Sequence, residues 1–299
     1  MSETIFKTLP GSPTVQRQLL AQIKAREAGQ PGNLQLLWRI AQAHRALGEL
    51  GQALQYYRAV LQADPGYDEA RYFIELLSGE TTGALLNSCR SLAPPYLRFN
   101  DFLDGAERQA LWQATEELLP TLHESAVEEY GTVGLNKETR RSHSSHASPR
   151  IREIFHQRAA EWVERHGIIG KLGIPHLDSI RKLQISLIAY GDGDYFKAHR
   201  DTGTTSSNHR RELTFVYHFF REPRRFEGGE LYLYDAGLKD EEADAVNGCT
   251  CFEPVNNSIV FFPSRALHEV RPVRCTSTDP LDGRFAIAGW ALRPEDTDG

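Results

Sequence analysis

Three side chains with the chemistry of metal ligands lie in the C-terminal half of the sequence. His199 and Asp201 are separated by one residue, and His268 follows an apolar stretch further along the chain. On an extended chain, residues i and i+2 point to the same side, so His199 and Asp201 can bind one ion together. Two imidazoles and one carboxylate on one face of an octahedron leave the opposite face open, which suits Fe(II) binding oxygen and a co-substrate. The spacing alone also fits a surface dipeptide, a hydrogen-bonded buried histidine and an ordinary strand residue.

A cationic side chain lies on a strand predicted near the C-terminus. Arg284 opens this strand, and the residues that share its face are Ala286, Ala288 and Trp290. A guanidinium on a small, apolar strand face needs an anionic partner, and a carboxylate that accepts two hydrogen bonds is its best match. The alanines leave room for such a ligand, and the hydroxyl of Tyr190, at the end of another predicted strand, could donate to it. The alternative is that Arg284 reaches water at the strand end and pairs with a neighbouring acid.

These residues lie in a segment whose hydrophobic pattern has a period of two. Apolar and polar residues alternate from 183 to 190, and further strands are predicted at 213–220, 230–234, 258–262, 267–270 and 284–292. Turn residues such as those at 191–193 and 282–283 separate them. Several short strands with no long helix between them predict an antiparallel sandwich or jelly roll.

The first third of the sequence predicts helices. The helical pattern covers residues 16–28, 37–44, 53–60 and 68–77. Residues 37–65 resemble a tetratricopeptide repeat, in which small Ala41 and Ala53 let paired helices approach and Gly48 forms the turn. One repeat cannot bury its own face, so the first and last of these helices are expected to pack beside it. The sequence leaves open whether the segment is a peptide-binding groove or an ordinary helical support for a second domain.

The middle of the chain connects these two parts. A helix capped by Asp104 is predicted at 105–118 and another at 151–166, whereas the polar run 140–146 lacks periodicity and predicts a loop. The predicted domains are therefore residues 1–90, which are helical, and residues 91–299, with a β core at about 183–292. The predicted fold class is α+β.

Composition limits the classes of function. The 299 residues include 40% hydrophobic residues, a normal fraction for a chain that buries a core. No apolar run approaches the roughly 18 residues of a membrane helix, the N-terminus lacks the layout of a secretory signal, and the four cysteines do not make a disulfide framework. A cytoplasmic protein without a membrane partner is expected. The net charge of −6 argues against nucleic acid as the main partner.

Residues 185–292 resemble the iron(II)- and 2-oxoglutarate-dependent oxygenases, specifically their prolyl-4-hydroxylase-like branch. The matching stretches occur in the family's order: YGDGDYFKAHRD at 190–201, RELT at 211–214, FEGGEL at 226–231, IVFFP at 259–263, HEV at 268–270 and RFAIAGW at 284–290. Agreement across six blocks is specific. The resemblance implies a double-stranded β-helix with supporting helices. The same resemblance implies that the catalytic Fe(II) is bound by His199, Asp201 and His268.

The resemblance implies how 2-oxoglutarate is bound. Arg284 pairs with the distal carboxylate of this co-substrate, Tyr190 matches a position that contacts it, and Trp290 lies on the pocket-lining strand. Arg274, in a segment longer than that of close relatives, is a second candidate for the anchoring arginine. His218 replaces a tyrosine of the family, and the sequence leaves open whether it binds 2-oxoglutarate or only packs.

The implied reaction is hydroxylation of an unactivated C–H bond with O2, releasing succinate and CO2, with ascorbate as a candidate reductant. Asp201 favours hydroxylation over halogenation, because halogenating relatives have a small residue there. Arg140, Arg141 and Ser142 resemble a strand that contacts substrate in relatives, and as a polar run they also fit a solvated surface. The expected substrate is a prolyl or other amino-acid residue in a protein or peptide, with the helical repeat as a possible protein-binding site. The alternatives are a free amino acid or small metabolite and, in a different class, a non-catalytic interaction protein.

Overall fold

The computed structural model describes residues 13–79, 91–129, 132–203, 208–237 and 246–294. The chain forms two compact units, residues 1–95 with 232–252 and residues 96–231 with 253–299. The domain boundary predicted between residues 90 and 91 falls at the edge of a stretch, 80–90, that lies outside the described residues. The predicted α+β class is confirmed by the helices and antiparallel strands described below.

The helices of the described residues lie mainly before residue 172. They are α1 (Pro13–Gly29), α2 (Leu34–Ala46), α3 (Leu50–Ala63), α4 (Asp68–Leu77), α5 (Gly105–Leu118), α6 (Pro149–His166) and the short α7 (Ile168–Lys171). Short 3-10 turns lie at Leu119–Thr121 and Pro280–Asp282. In this part of the chain, none of them combines the length and the apolar character that a membrane crossing requires.

The strands of the described residues are numbered in chain order. They are β1 (Ser91–Leu92), β2 (Leu97–Phe99), β3 (His123–Glu124), β4 (Val127–Glu129), β5 (Thr132–Gly134), β6 (Arg140–Arg141), β7 (His143–His146), β8 (Leu183–Tyr190), β9 (Tyr195–His199), β10 (Arg211–Phe219), β11 (Phe226–Gly228), β12 (Leu231–Gly237), β13 (Val246–Phe252), β14 (Ser258–Pro263), β15 (His268–Val270), β16 (Val273–Cys275) and β17 (Arg284–Leu292).

The first unit joins helices α1 to α4 to strands from distant parts of the chain. Strands β1 and β13 both pair with β12. Arg45 of α2 forms a bidentate ion pair with Asp235 of β12 and donates a hydrogen bond to Thr250 of β13 at 2.9 Å. Both charged side chains are buried. The α2 face that carries Arg45 is therefore covered by the chain's own strands. The resemblance to a tetratricopeptide repeat stays a prediction.

The second unit is a jelly roll, as the alternating pattern predicts. Its larger sheet has the strand order β2-β14-β10-β17-β8-β7-β3, and all pairs are antiparallel. Opposite this sheet, β9 pairs with β6 on one side and with β15 on the other, and β11 pairs with β16. The side chains of β10 that point outward, Phe215, Tyr217 and Phe219, join a core with α6 residues such as Phe155. The opposite face of β10 points between the sheets.

Helix α5 begins where the sequence predicts it. The Asp104 carboxylate accepts a hydrogen bond from the Glu107 backbone N–H at 2.9 Å, and the Glu107 side chain accepts one from the Asp104 N–H at 2.9 Å. This capping box satisfies two N–H groups that the first turn leaves without a partner. Helix α5 can therefore start at Gly105 and pack Leu111 and Ala114 on the sheet.

The loop predicted at residues 140–146 is wrong. Arg140–Arg141 form β6 against β9, and His143–His146 form β7 against β8. The backbone of these polar residues is held by pairing with two longer strands, so the segment needs no apolar alternation of its own. Its side chains line a polar cavity, which explains why the sequence pattern resembles a loop.

Candidate active site

Two short strands bring the three predicted metal ligands together. His199 ends β9 and His268 begins β15, and the two residues are direct antiparallel partners. Asp201 follows β9, and its backbone N–H donates to the Ser264 carbonyl at 3.0 Å. The Asp201 carboxylate lies 3.6 Å from Nε2 of His199 and 3.5 Å from Nε2 of His268. One ligand atom from each residue lies within 4.8 Å of the others, which is the spacing of a metal-binding group.

Hydrogen bonds to the protein backbone orient both imidazoles. Nδ1 of His199 lies 2.8 Å from the Lys197 carbonyl oxygen, and Nδ1 of His268 lies 2.9 Å from that of Ala266. A carbonyl only accepts, so each Nδ1 is the donor and each Nε2 is directed toward Asp201. Burial, together with the neighbouring His199, lowers the pKa of His268 to about 4. His268 is therefore neutral near pH 7, as a metal ligand must be.

Asp201 supplies the negative charge of the group. Its side chain is buried, and the Thr214 hydroxyl donates to Oδ2 at 2.9 Å and lies 2.9 Å from the Ser264 hydroxyl. Burial by itself raises the pKa of Asp201, but the interactions with His268 and His199 outweigh it and hold the pKa well below its usual range. Two imidazole nitrogens and one carboxylate fit a divalent transition metal with open coordination positions.

Arg284 is a charged residue that the second unit buries completely. Its side chain is 0% exposed, and Nε, Nη1 and Nη2 have no hydrogen-bond partner among the described residues. The guanidinium carbon lies 4.8 Å from the ring centre of Tyr190, the residue paired with Arg284 across β8 and β17. Burial lowers the pKa of Arg284 to about 10, so the group stays charged near pH 7. A buried cation without partners needs an anion.

The second candidate anchor lies elsewhere. Arg274 is on β16, where it is exposed and stands opposite Glu227. The structure thus places Arg284 in the cavity and leaves Arg274 on the surface.

A glycine makes room for the Arg284 side chain. Gly229, in the Phe-Glu-Gly-Gly-Glu run, has a φ of +73°, and a Cβ there would lie 2.6 Å from Cδ of Arg284. Sequence analysis did not assign this role. The glycine pair at 228–229 is visible in the sequence, but the neighbour of Gly229 across the cavity is not.

A cavity of about 50 Å³ connects the triad with Arg284. Its remaining lining is mainly apolar and includes Ile188, Val216, Leu231, Val270, Ala286 and Ala288. The predicted residues Tyr190 and Trp290 also line it, and the Trp290 ring packs against the guanidinium of Arg211 at 3.9 Å. Phe196, which sequence analysis did not single out, stacks on His199 with the ring centres 3.4 Å apart.

His218 lies beside the anchor rather than beside the triad. It is buried, and its register partners are Ala286 on β17 and Ser258 on β14. Burial and the nearby charge of Arg284 lower its pKa well below the ordinary value, so the imidazole is neutral. Its Nε2 has no hydrogen-bond partner among the described residues.

The three predicted substrate residues lie at the side of the site. Arg140 lines the apolar cavity described above and also a neighbouring polar cavity of about 140 Å³. Arg141 and Ser142 line only the polar cavity. The Arg141 side chain is 51% exposed, whereas Ser142 is buried.

Comparisons with known proteins agree with this geometry. Residues 185–292 match the family model of the 2OG-Fe(II) oxygenase superfamily. This match identifies the segment as a 2OG-Fe(II) oxygenase domain and confirms the resemblance at the level of the superfamily. Enzymes of this superfamily use Fe(II), 2-oxoglutarate and O2, and the His199, Asp201 and His268 group supplies the kind of ligands that such an Fe(II) site has.

The chain is also similar to individual proteins. It is 36% identical over 140 residues to an uncharacterised PKHD-type hydroxylase of Synechocystis sp., a match that covers 47% of this chain and 44% of that protein. A Pseudomonas putida prolyl-4-hydroxylase structure is 19% identical, with a TM-score of 0.46, covering 67% of this chain and 92% of the other. A Trichoplax adhaerens prolyl hydroxylase, solved with a hypoxia inducible factor peptide fragment, is 19% identical, with a TM-score of 0.48, covering 70% and 86%.

Proposed function

We propose that the chain is a hydroxylase that oxidises an unactivated C–H bond and releases succinate and CO2. The proposed substrate is a prolyl or other amino-acid residue of a protein or peptide. The observation that carries the proposal is Arg284, a fully buried guanidinium without a partner among the described residues, in the same cavity as the triad. A hydrolytic metal site would have no use for such a group, whereas a dicarboxylate co-substrate does.

His199, Asp201 and His268 fit the metal that the family uses. Their donor set is two Nε2 atoms and one carboxylate, and hydrogen bonds from Nδ1 to the carbonyl oxygens of Lys197 and Ala266 orient the imidazoles. When bound, Fe(II) supplies the activation of O2 that C–H oxidation requires. The protein's part is to keep three ligands on one side of the ion.

Arg284 and Tyr190 are proposed to bind 2-oxoglutarate. The guanidinium pairs with the distal carboxylate, which accepts hydrogen bonds from two of the three nitrogens that otherwise have no partner in the described part of the chain. Tyr190 packs against the guanidinium and limits its movement. The apolar side chains that line the cavity, such as Ile188 and Ala288, exclude water. This strengthens the attraction between the Arg284 guanidinium and the carboxylate.

An anaerobic titration tests the proposal. 2-Oxoglutarate added to the Fe(II)-loaded protein should give a visible charge-transfer band, because a 2-oxo acid that chelates Fe(II) absorbs in this way. In Arg284→Met the dissociation constant of 2-oxoglutarate should rise at least a hundredfold with little change in Fe(II) affinity, since the lost pair is a desolvated, charge-assisted one.

Arg274→Met provides the matched control. It removes the same charge from an exposed position and should leave the titration as in the wild type. A wild-type protein without the band, or equal losses in the two variants, would refute the proposed site.

The role of the helices is the second part of the proposal. We place the protein in the cytoplasm and infer that α1 to α4 support the fold rather than dock a partner through the face that carries Arg45. The ion pair between Arg45 and Asp235 favours a supporting role, because it shows that the chain's own strands cover that face of the helix. A protein partner bound through another face of these helices stays the alternative. Limited proteolysis with and without a candidate protein substrate would show which surface becomes protected.

The competing substrate class is a free amino acid or small metabolite. The polar cavity that Arg140 shares with the site favours it, because about 140 Å³ accommodates a small polar group rather than a folded surface. Comparing succinate formation on free amino acids and on peptides would separate the two classes.

A further inference from the structure

Two cavities of the second unit share one charged side chain. Arg140 is the residue common to the linings of the apolar cavity, which holds the triad, and the polar cavity beside it. The polar cavity is lined by hydroxyl, amide and charged groups that include Ser125, Asn136, Lys137 and Ser142. A molecule that binds in both cavities therefore contacts Arg140.

Arg140 is held in place on two sides. Its Nε donates to the Ser142 hydroxyl at 2.8 Å, and that hydroxyl lies 2.9 Å from the hydroxyl of Ser125. Its guanidinium carbon lies 4.5 Å from the ring centre of Phe196, which stacks on His199. The position of this cation is thus fixed relative to a ligand of the metal-binding group.

The other charges of the polar cavity are already compensated. Lys137 forms an ion pair with Glu124 at 2.5 Å, and Arg141, which is half exposed, lies 4.0 Å from Asp194. Arg140 forms no ion pair with a carboxylate in the part of the chain that the structure describes. Burial lowers the pKa of Arg140, while Tyr190 and Asp201 act on it in the opposite direction. It is therefore the cation of this cavity that has most to gain from an added anion.

The charge balance of the loaded site points the same way. Fe(II) contributes two positive charges, Asp201 one negative, 2-oxoglutarate two negative and Arg284 one positive, so these four cancel. Arg140 then leaves about one positive charge along the lining of the cavities. A substrate with one negative charge would balance it.

We propose that Arg140 binds a carboxylate of the substrate in the polar cavity and thereby selects anionic over neutral substrates. The inference rests on the proposed hydroxylase function and names the substrate class of that site. The shared chemistry is a carboxylate, which a free amino acid or chain end supplies from its α-carboxyl group and a peptide supplies from an acidic side chain. Arg140 acts here as a specificity-determining residue.

The test uses pairs of probes that differ only in charge. The full chain is loaded with Mn(II) and 2-oxoglutarate, and probe binding is measured from the relaxation of the acetyl protons in NMR spectra. One pair is N-acetyl-proline and its amide, and the other is acetyl-Pro-Gly-Glu-amide and its glutamine analogue. The acid of one pair should bind roughly tenfold to a hundredfold more tightly than its neutral partner, as expected for a charged hydrogen bond. Preference in the first pair identifies an α-carboxylate, and in the second an acidic side chain.

Three variants connect the preference to Arg140. In Arg140→Gln the ratio of the two affinities should fall to about one, and in Arg140→Lys part of it should return. Lys137→Gln removes a charge from the same cavity that Glu124 already neutralises, so it should keep the ratio. Equal binding of acid and neutral probes by the wild type, an unchanged ratio in Arg140→Gln, or no binding of either acid at 10 mM would overturn the inference.

The proposed function is checked separately by the same sample. Binding of 2-oxoglutarate to the Mn(II)-loaded protein is measured first, from the relaxation of water protons. If 2-oxoglutarate does not bind, the proposed function fails. If it binds and the probe pairs show no preference, only the role of Arg140 fails.

Discussion

At the scale of single residues, Asp201 shows how neighbours prepare a ligand before any ion arrives. One carboxylate oxygen accepts the Thr214 hydroxyl while both oxygens face an Nε2 atom of the triad. A carboxylate held in this way loses little freedom on binding a metal. Thr214 therefore contributes to metal affinity without touching the ion.

We predict that Thr214→Val weakens metal binding about tenfold to a hundredfold, the usual effect of losing a hydrogen bond to a ligand. Mn(II) binding, followed by electron paramagnetic resonance of the free ion, gives the dissociation constant. Thr214→Ser keeps the hydroxyl and should stay near the wild-type value. Equal losses in both variants would mean that the packing of the side chain at position 214, and not the hydrogen bond from its hydroxyl to Asp201, sets the metal affinity.

His218 predicts a pH dependence of stability. Its pKa is lowered in the folded protein by burial and by Arg284, whereas in the unfolded chain it is close to 6.5. Below pH 6.5 the unfolded state therefore binds a proton that the folded state does not. The free energy of unfolding should fall as pH decreases, by up to about 1.4 kcal/mol per pH unit for this one group.

The variant His218→Phe isolates this contribution. Urea denaturation of the metal-free protein between pH 5 and pH 7.5 should show a shallower decline for the variant than for the wild type. His268 contributes a decline of the same sign, because its pKa is also lowered, and this part should persist. Identical slopes for both proteins would show that His218 titrates normally in the folded state.

The residues of the site differ in whether the local sequence is enough to identify their role. His199, Asp201, His268 and Arg284 were identified from type, spacing and motif, and the structure brings all four to one cavity. Gly229 could not be identified in the same way. Its role is to leave space for a side chain of β17, and β17 is distant in sequence.

At the scale of elements, alternation found the long strands β8 and β17 and also the three-residue β15. It missed the seven-residue β13 as well as several short strands. Strands β8 and β17 coincide with their predicted bounds, because runs of eight or nine residues are long enough for a strand pattern to be recognised, although β17 is buried on both faces. Strands β6 and β16 have two and three residues, too few to show an alternating pattern. Backbone pairing with a neighbouring strand holds them in the extended conformation. The polar β6 is nevertheless the element that carries Arg140.

The pairing of α2 with β12 gives a prediction for stability. Arg45→Met leaves the buried carboxylate of Asp235 without its partner, and this should lower the free energy of unfolding by about 3–5 kcal/mol. The double variant Arg45→Met, Asp235→Leu removes both charges and should recover most of the loss. Chemical denaturation of the three proteins measures both values. A double variant as unstable as the single one would show that the ion pair itself, and not the unpaired charge, dominates.

At the scale of the whole molecule, the chain order and the packing differ. Residues 232–252 lie in sequence between segments of the second unit but pack with the helices of the first. The sequence predicts two continuous domains because motif order is all that a linear pattern shows. The ion pair that joins residues 232–252 to the helices of the first unit is between Arg45 and Asp235, which are 190 positions apart.

This arrangement predicts that α2 and β13 open together. Regions that share buried contacts exchange their amide hydrogens with a common free energy of opening. In the wild type, the slowest amides of α2 and β13 should therefore exchange at similar rates, measured by mass spectrometry. Arg45→Met should accelerate exchange in both elements, because Arg45 contacts Thr250 as well as Asp235. Strands β10 and β17, whose core residues lie in the second unit, should keep their wild-type protection, and this makes them the internal control. Acceleration in α2 alone would separate β13 from the helical unit, since strands that owed their order to the second unit would not respond to a change in the first.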